Sequence, residues 1–190
     1  NNVTFPASNP SVVSCGGSTY VYNLKENIRG PDQIWSGSNG GFSKLYNRPA
    51  YQAQINNANR AIPDIAAFAS SNIIGINSIS GGIYIWFNGT EIMLTGTVLS
   101  TALMTAQHAI INNNLKTNIG FINDVIYNLP DCITNIQYNG ISGWNSTTGF
   151  GLLNKAEVLI EYYNSQILIP NNNYPTKKTI EISSFYPPTI

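Results

Sequence analysis

The first half of the chain carries short apolar runs bounded by Gly, Pro and Ser, a pattern typical of β-strands. Residues 11–22 (SVVSCGGSTYVY) predict a strand followed by a turn at Gly16-Gly17. Residues 60–70 predict one short buried strand with Pro63 at its start, where a missing amide hydrogen is tolerated. Two apolar runs flank Asn88-Gly89, which is the strongest short signal for a β-hairpin.

From Thr97 onward, apolar residues recur every three to four positions, which indicates a helix capped by Thr97. The positions with this spacing are Val98, Leu99, Ala102, Leu103, Ala106, Ala109 and Ile110. Because several of them are small, we expect this helix to be buried on most of its surface. Two further helices are predicted, one in residues 121–130 that ends at Pro130 and one in residues 152–166 that is capped by Asn154. Strands alternating with helices indicate an α/β fold with a largely parallel sheet.

The length of the chain suits one compact domain. It has 190 residues, of which 43% are apolar, and no internal repeat or linker divides it. We therefore expect a compact part in residues 1–168 and a Pro- and Tyr-rich extension in residues 169–190. This extension either docks on a neighbouring chain or is a disordered terminus.

Charge is scarce, and this excludes two classes of partner. Charged residues make up 9% of the chain with no net charge, against roughly 25% in ordinary soluble domains. No basic stripe could bind nucleic acid or an anionic membrane, and no apolar run is long enough to span a membrane. A surface with so little charge favours association with other proteins, although a genome biased toward Asn and Ile would produce it as well.

Few side chains are candidates for chemistry. Cys15 and Cys132 could form a disulfide, and the sequence does not decide whether they do. His108 is the sole histidine, and we expect it at the surface or at the edge of the core without a metal. Glu157 and Glu161 share a helix face, which predicts a solvated surface rather than a catalytic pair.

Five stretches, in order, resemble the C-terminal half of the sedolisins, the serine-carboxyl peptidases related to tripeptidyl-peptidase. They are FPASNPSVVSCGGST, GGFSKLYNRPAYQ, RAIPDIAAFA, NGTEIMLTGTVLSTAL and IGFINDVIYNL followed by DCITNIQYNGISGWNSTTGFGLLN. Together they cover roughly residues 5 to 163. The resemblance implies a subtilisin-like, doubly wound α/β fold with a largely parallel sheet, of which the N-terminal part is absent from this chain.

The resemblance also implies where catalysis should take place. Sedolisins place their serine directly after Gly-Thr at the start of a helix, and the matching residue here is Val98. A valine cannot attack a carbonyl group. Ser100 lies about 200° around the helix and points away from that position. The family's catalytic Glu and Asp, and its oxyanion Asp, precede the segment that resembles FPASNP, so no residue of this chain inherits those roles.

The family's calcium site has a partial counterpart here. By resemblance, Asp131 and Asn145 stand at its two aspartate positions, Cys132 would supply a backbone carbonyl, and Ile141 and Gly143 stand at the two glycine positions of its motif. Asn145 lacks a carboxylate and Ile141 replaces a usual glycine. We therefore expect an empty or weak calcium site, in which Asp131 and Asn145 form a hydrogen-bonded staple, and no other cofactor.

These observations favour an inactive pseudopeptidase with a structural or binding role in a larger assembly. Its partner would be an upstream segment of the same polypeptide or another protein chain. The alternative is the C-terminal chain of a processed acidic serine-carboxyl endopeptidase or tripeptidyl-peptidase, with catalysis by upstream residues or by a rearranged Ser100. A third possibility is a module that captures peptides without cleaving them. Localisation outside the cell or in a particle is weakly favoured.

Overall fold

The computed structural model describes residues 3–74, 79–137, 140 and 142–168, so Ile141 and the predicted extension 169–190 lie outside the described residues. The strands are β1 (Cys15–Asn23), β2 (Ile28–Arg29), β3 (Gln33–Ile34), β4 (Gly41–Asn47), β5 (Asn59–Ile62), β6 (Ile65–Ile74), β7 (Ile79–Gly81), β8 (Ile83–Phe87), β9 (Thr90–Leu94), β10 (Ile133–Thr134) and β11 (Leu152–Leu153). The α-helices are α1 (Thr97–Leu115), α2 (Asn123–Asn128) and α3 (Ala156–Leu168), and two 3-10 turns are Ala50–Gln52 and Pro130–Cys132.

The central sheet is built on a long parallel pair, as the α/β pattern predicts. Strand β1 runs parallel to β6 along its whole length, from Cys15 opposite Ile65 to Asn23 opposite Ile74. Strand β11 adds a parallel contact to β6 at Ala66, in the order β10-β11-β6-β1-β2. The short strands β2, β3, β7 and β10 are antiparallel additions. Buried strands with this apolar composition require cover on both faces, and helix α1 supplies it on one.

Two strand predictions are wrong in detail. Gly16-Gly17 lies inside β1 and is not a turn. Glycine is needed at position 17 because a side chain there would meet the Trp35 ring and the Ala69 Cβ atom. Residues 60–70 form parts of two strands that are separated at Pro63-Asp64. The first, β5, pairs with β4 in a separate ribbon, whereas the second, β6, pairs with β1 in the central sheet.

The predicted hairpin is confirmed. Strands β8 and β9 pair antiparallel from Ile83 opposite Leu94 to Phe87 opposite Thr90. Asn88 and Gly89 both have positive φ angles, 50° and 75°, as a two-residue hairpin loop requires.

Helix α1 begins at Thr97, one residue before the predicted start, and it differs from the prediction in its cap and its burial. The cap residue is Gly96, with φ 101° and no side-chain cap hydrogen bond, so Thr97 is the first helical residue and not the cap. Leu99, Ser100, Met104 and Ile111 are buried. The opposite face is exposed, contrary to the expectation of burial on most of the surface, because α1 packs on the sheet with one side only.

The two later helices complete the core. Helix α2 ends at Asn128, just before Pro130, as predicted. Helix α3 begins at Ala156, and the Asn154 side-chain oxygen accepts a hydrogen bond from the Thr134 hydroxyl at 2.8 Å, so Asn154 is not its cap. The main buried cluster consists of Tyr51, Ile55, Ala61, Ile65, Met104, Ile111, Ile122, Ile126, Tyr127, Cys132, Leu153 and Leu159.

Candidate functional site

The connection from β9 to helix α1 forms the centre of the candidate site. The Gly96 amide donates to the Ala69 carbonyl of β6 at 2.8 Å, which ties the helix start to the middle of the sheet. The positive φ of Gly96 lets the chain turn directly into the helix beside the Trp35 ring. The first amides of an α-helix have no intrahelical acceptor, and the helix dipole makes this end favourable for negative charge.

Val98 lies in this first turn with 81% of its surface exposed. Its isopropyl group presents only methyl groups to solvent and has neither a proton to give nor a lone pair. Thr97, half-buried, lines a cavity of about 370 Å³ at the same helix end. The other lining residues are Val3, Thr4, Ala7, Ser14, Cys15, Asn39, Gly40, Ile62 and Pro63. None of these carries a charged side chain, so the cavity suits neutral polar or apolar groups.

Ser100 does not reach the cavity. It is fully buried, and its hydroxyl lies 3.0 Å from the Ala67 carbonyl and 3.1 Å from the Phe68 carbonyl, both on β6. A hydroxyl that donates to strand carbonyls beneath the helix fastens helix to sheet. In this conformation it is not available as a nucleophile.

Both cysteines are free thiols, which answers the disulfide question for this structure. Cys15 lines the cavity at the helix start, and burial together with the nearby Asp64 charge raises its pKa to about 12. Burial likewise raises the pKa of Cys132 to about 11, and its thiol donates to the Leu129 carbonyl at 2.9 Å. Because the thiolate is the reactive form, neither cysteine is a nucleophile near neutral pH.

His108 belongs to a different cavity. This second cavity, about 380 Å³, lies beside α1 and is also lined by Cys15, Met104 and Ile122. Burial lowers the pKa of His108. A separation of eleven residues along a helix places it about 16 Å from Thr97, too far to act as a base there. Glu157 and Glu161 are both exposed on α3, as predicted.

A buried ion pair supports one wall of the cavity at the helix start. Asp64 and Arg60 are both fully buried and form a two-pronged pair, with nitrogen–oxygen distances of 2.5 and 2.6 Å. Asp64 also accepts from the Tyr127 hydroxyl at 2.7 Å and from the Ser14 amide at 2.7 Å. Burial acts to lower the pKa of Arg60, but the hydrogen bonds and charge of Asp64 outweigh it and raise the pKa.

This network is structural. The Arg60 guanidinium, the Tyr127 hydroxyl and the Ser14 amide all donate to the Asp64 carboxylate, so the carboxylate is not free to accept a proton from a substrate. Burial and the Asp64 charge also raise the pKa of Tyr127, which therefore stays protonated. The sequence shows Arg60 and Asp64 four residues apart but does not show that Tyr127 and Ser14 join them.

Four of the five residues at calcium-like positions, Asp131, Cys132, Gly143 and Asn145, lie within the described residues. Asp131 is exposed, and the Cys132 carbonyl accepts from the Lys155 amide at 3.4 Å. The Gly143 carbonyl accepts from the Asn135 side chain at 2.8 Å. The predicted staple is wrong: Asn145 bonds to Ile136, Thr147 and Thr148 instead of Asp131. Ile141 lies outside the described residues.

A wider search for ligands within the described ranges gives the same result. No group of three or more His, Cys, Asp or Glu side chains there could hold a metal ion. Sequence reasoning missed Asn135, whose side chain donates to the Gly143 carbonyl; an Asn directly after a short strand carries no distinctive signal. Within the same ranges, no helix combines the length and the apolar character that crossing a membrane would demand.

The chain is similar in sequence to several curated proteins. No family model matches the sequence. The chain is 27% identical over 178 residues to kumamolisin of Bacillus sp. (strain MN-32), 22% over 183 residues to sedolisin of Pseudomonas sp. (strain 101), and 26% over 187 residues to tripeptidyl-peptidase 1 of Mus musculus. These alignments cover 79%, 83% and 80% of this chain but only 30%, 30% and 31% of the relatives. The chain thus spans about a third of their length.

A solved structure shares the fold. Pseudomonas sedolisin, a serine-carboxyl proteinase complexed with two molecules of pseudo-iodotyrostatin, superposes with a TM-score of 0.65 at 22% identity. The match covers 85% of this chain and 48% of that one. This match confirms the predicted subtilisin-like α/β fold, of which the chain matches about half. The relatives and the shared fold support the predicted resemblance to the sedolisins, over part of their length.

Proposed function

We propose that this chain is a catalytically inactive sedolisin-like domain with a structural or binding role in a larger assembly. The observation that carries the proposal is Val98, which stands at the exposed helix start where the family resemblance puts the nucleophile. Nearby groups offer no replacement. The Ser100 hydroxyl is buried against β6 and the Cys15 thiol is held protonated.

Within the first turn of α1, Thr97 carries the other hydroxyl besides Ser100, and the described residues offer it no base. His108 lies on another part of the helix, and the Asp64 carboxylate is saturated by its own donors. A hydroxyl nucleophile needs an adjacent group to take its proton. The described residues therefore support a site that retains its shape without its chemistry.

The proposed partner is an upstream segment of the same polypeptide or a second protein chain. Two apolar faces support this. Helix α1 exposes Val98 and Ile110 along its outer side, at 81% and 61%. The β8–β9 hairpin exposes Tyr84 and Trp86, at 68% and 77%. Exposed apolar faces of this kind mark surfaces that are normally covered, and the solved sedolisin has about as much chain again outside the match.

The second candidate function is that of a chain processed from an active peptidase. It is favoured by the same observation that the chain matches only part of its relatives. It requires the acid, base and oxyanion groups to reside in polypeptide outside this chain. It also requires a nucleophile at the helix start, which Val98 does not provide.

An assay of peptide hydrolysis distinguishes the inactive domain from the processed peptidase. The assay uses the native protein together with every polypeptide that copurifies with it. At acidic pH we expect no turnover for the natural chain, and none for Val98→Ala, which is the matched control. Val98→Ser restores a hydroxyl at the helix start, and hydrolysis by this variant alone would show that the remaining machinery is present in a partner. Hydrolysis by the natural chain that a serine-directed inhibitor blocks would overturn the proposal.

A further inference from the structure

The connection between β10 and β11 folds around two asparagine side chains. It runs from Asn135 to Gly151 and crosses the region where the family resemblance puts a calcium ion. Two of its described carbonyl oxygens, those of Gly143 and Phe150, approach the same nitrogen atom, and neighbouring carbonyl oxygens repel each other unless a cation or a hydrogen-bond donor lies between them.

Asn135 provides one such donor. Its side-chain amide nitrogen lies 2.8 Å from the Gly143 carbonyl oxygen and 2.8 Å from the Phe150 carbonyl oxygen, so one amide group bridges two parts of the connection. Gly143 is one of the residues at a calcium-like position. The Asn135 side-chain oxygen is buried and has no hydrogen-bond partner among the described residues. One neutral oxygen is far short of the six to eight that calcium takes.

Asn145 provides the second donor and is itself fully engaged. Its amide nitrogen donates to the Ile136 carbonyl at 3.2 Å, across the connection. Its side-chain oxygen accepts from the Thr147 and Thr148 amides, each at 2.9 Å, and lies 3.1 Å from the Thr148 hydroxyl. An oxygen with this many donors is not available to coordinate an ion.

We infer that the Asn135 and Asn145 side-chain amides hold this connection together in place of a metal ion, so that its structure is independent of calcium. The positive ends of N–H dipoles face the carbonyl oxygens where the family resemblance would put a divalent charge. Asp131, the one carboxylate at these positions, is exposed, and the Asn145 side chain donates to Ile136 and Thr148 instead.

The connection matters because it buttresses the cavity at the start of α1. The Trp144 indole donates to the Pro63 carbonyl at 2.8 Å, and the Phe150 amide donates to the Asp64 carbonyl at 2.9 Å. The Ser38 hydroxyl donates to the Thr147 carbonyl at 2.6 Å. Pro63 lines the cavity. The asparagine amides therefore fix the cavity wall without requiring an ion.

Thermal unfolding of the full chain, in EDTA and in calcium chloride at about 10 mM, tests the inference; this concentration exceeds the dissociation constants of weak extracellular calcium modules. We expect the two midpoints to coincide. A site half-saturated at a hundredth of the added calcium would instead raise the midpoint by about 5 to 10 °C, and such a rise would overturn the inference.

Variants test the donor directly. Asn135→Ala leaves two buried carbonyls unpaired, and we expect the midpoint to fall by about 5 °C in both buffers. Asn135→Asp keeps the shape but loses both N–H donors, so we expect at least as large a fall at neutral pH. The control is Asn128→Ala, an exposed asparagine that donates to a single helix carbonyl, that of Asp124, and we expect little change.

An Asn135→Asp midpoint equal to that of the natural chain would contradict the donor role, since the substitution replaces the donating NH2 group with a carboxylate oxygen that repels the two carbonyls. If both Asn135 variants fail to fold, the comparison of the natural chain in EDTA and calcium decides the inference by itself.

Discussion

Val98 places methyl groups at the start of helix α1. The backbone amides at this end lack intrahelical acceptors and would stabilise a negative charge. The backbone there is shaped by Gly96, whose amide bonds to the Ala69 carbonyl, and this geometry does not depend on the residue at 98. At the residue scale, loss of chemistry and retention of shape are therefore compatible. Asp64 shows the opposite case, in which one side chain determines the shape through four groups.

Replacing Asp64 by Asn should destabilise the fold strongly. The change leaves the fully buried Arg60 guanidinium without its counter-ion, and breaking one side of a buried pair costs about 3–5 kcal/mol. Urea unfolding measures the loss. The control is Asp32→Asn, whose partner Arg29 has a largely exposed side chain, and we expect a loss of less than about 1 kcal/mol. Equal losses for the two variants would contradict the structural role of Asp64.

At the scale of elements, helix α1 and strand β6 are joined by Ser100. Its buried hydroxyl lies within hydrogen-bond distance of two β6 carbonyls, Ala67 and Phe68. This contact explains why a polar residue lies on the inner face of a helix beside Leu99 and Met104. It also keeps the Ser100 hydroxyl beneath the helix, against β6.

Replacing Ser100 by Ala should lower the free energy of unfolding by about 1–2 kcal/mol, because the strand carbonyls lose a buried donor. The adjacent Thr101→Ala is the control. Thr101 is exposed and its hydroxyl bonds to the Thr97 carbonyl of its own helix, so its loss should be near zero. Both free energies come from denaturant unfolding. If Ser100→Ala instead abolished a peptidase activity without changing stability, Ser100 would be catalytic after all.

Element boundaries followed the sequence where the signal was local. Asn88-Gly89 predicted the hairpin because two adjacent residues with positive φ angles suit only a few types of turn. The turn predicted at Gly16-Gly17 was wrong because glycine also occurs where another part of the chain approaches the backbone closely. Here Trp35 and Ala69 make that approach, which the sequence does not show. The prediction of Thr97 as the helix cap was wrong because Gly96 already supplies the backbone geometry of the cap.

At the scale of the whole molecule, the chain matches 48% of the solved sedolisin and exposes apolar side chains. Helix α1 was expected to be buried on most of its surface, but it covers the sheet on one side and exposes Ala102, Ala106 and Ala109 on the other. Small residues on an outer helix face allow close approach of another element. The alignments leave more than two thirds of each curated relative unmatched, which agrees with a missing cover.

Replacing Ile110 by Glu should disrupt association while leaving the chain itself folded. Ile110 is 61% exposed, so a charge there costs little in the isolated chain, within about 0.5 kcal/mol for a surface substitution. A charge facing an apolar partner remains unpaired when buried, which weakens the contact. Copurification and analytical ultracentrifugation measure association. Asn114→Glu, also exposed on α1, is the control, and equal association by both variants would contradict the proposed partner surface.

The sequence by itself determined the α/β class, the hairpin, the start of α1, the family resemblance and the valine at position 98, because these depend on local periodicity or on residues that are neighbours along the chain. The tertiary structure decided the rest: the burial of Ser100, the joining of Asp64 with Arg60, Tyr127 and Ser14, and the bonding of Asn135 to two carbonyls of its own connection. Each of these depends on a donor and an acceptor that meet only when the strands and helices have packed. Hydrogen bonding and charge act over a few ångströms in space, whatever the separation along the chain.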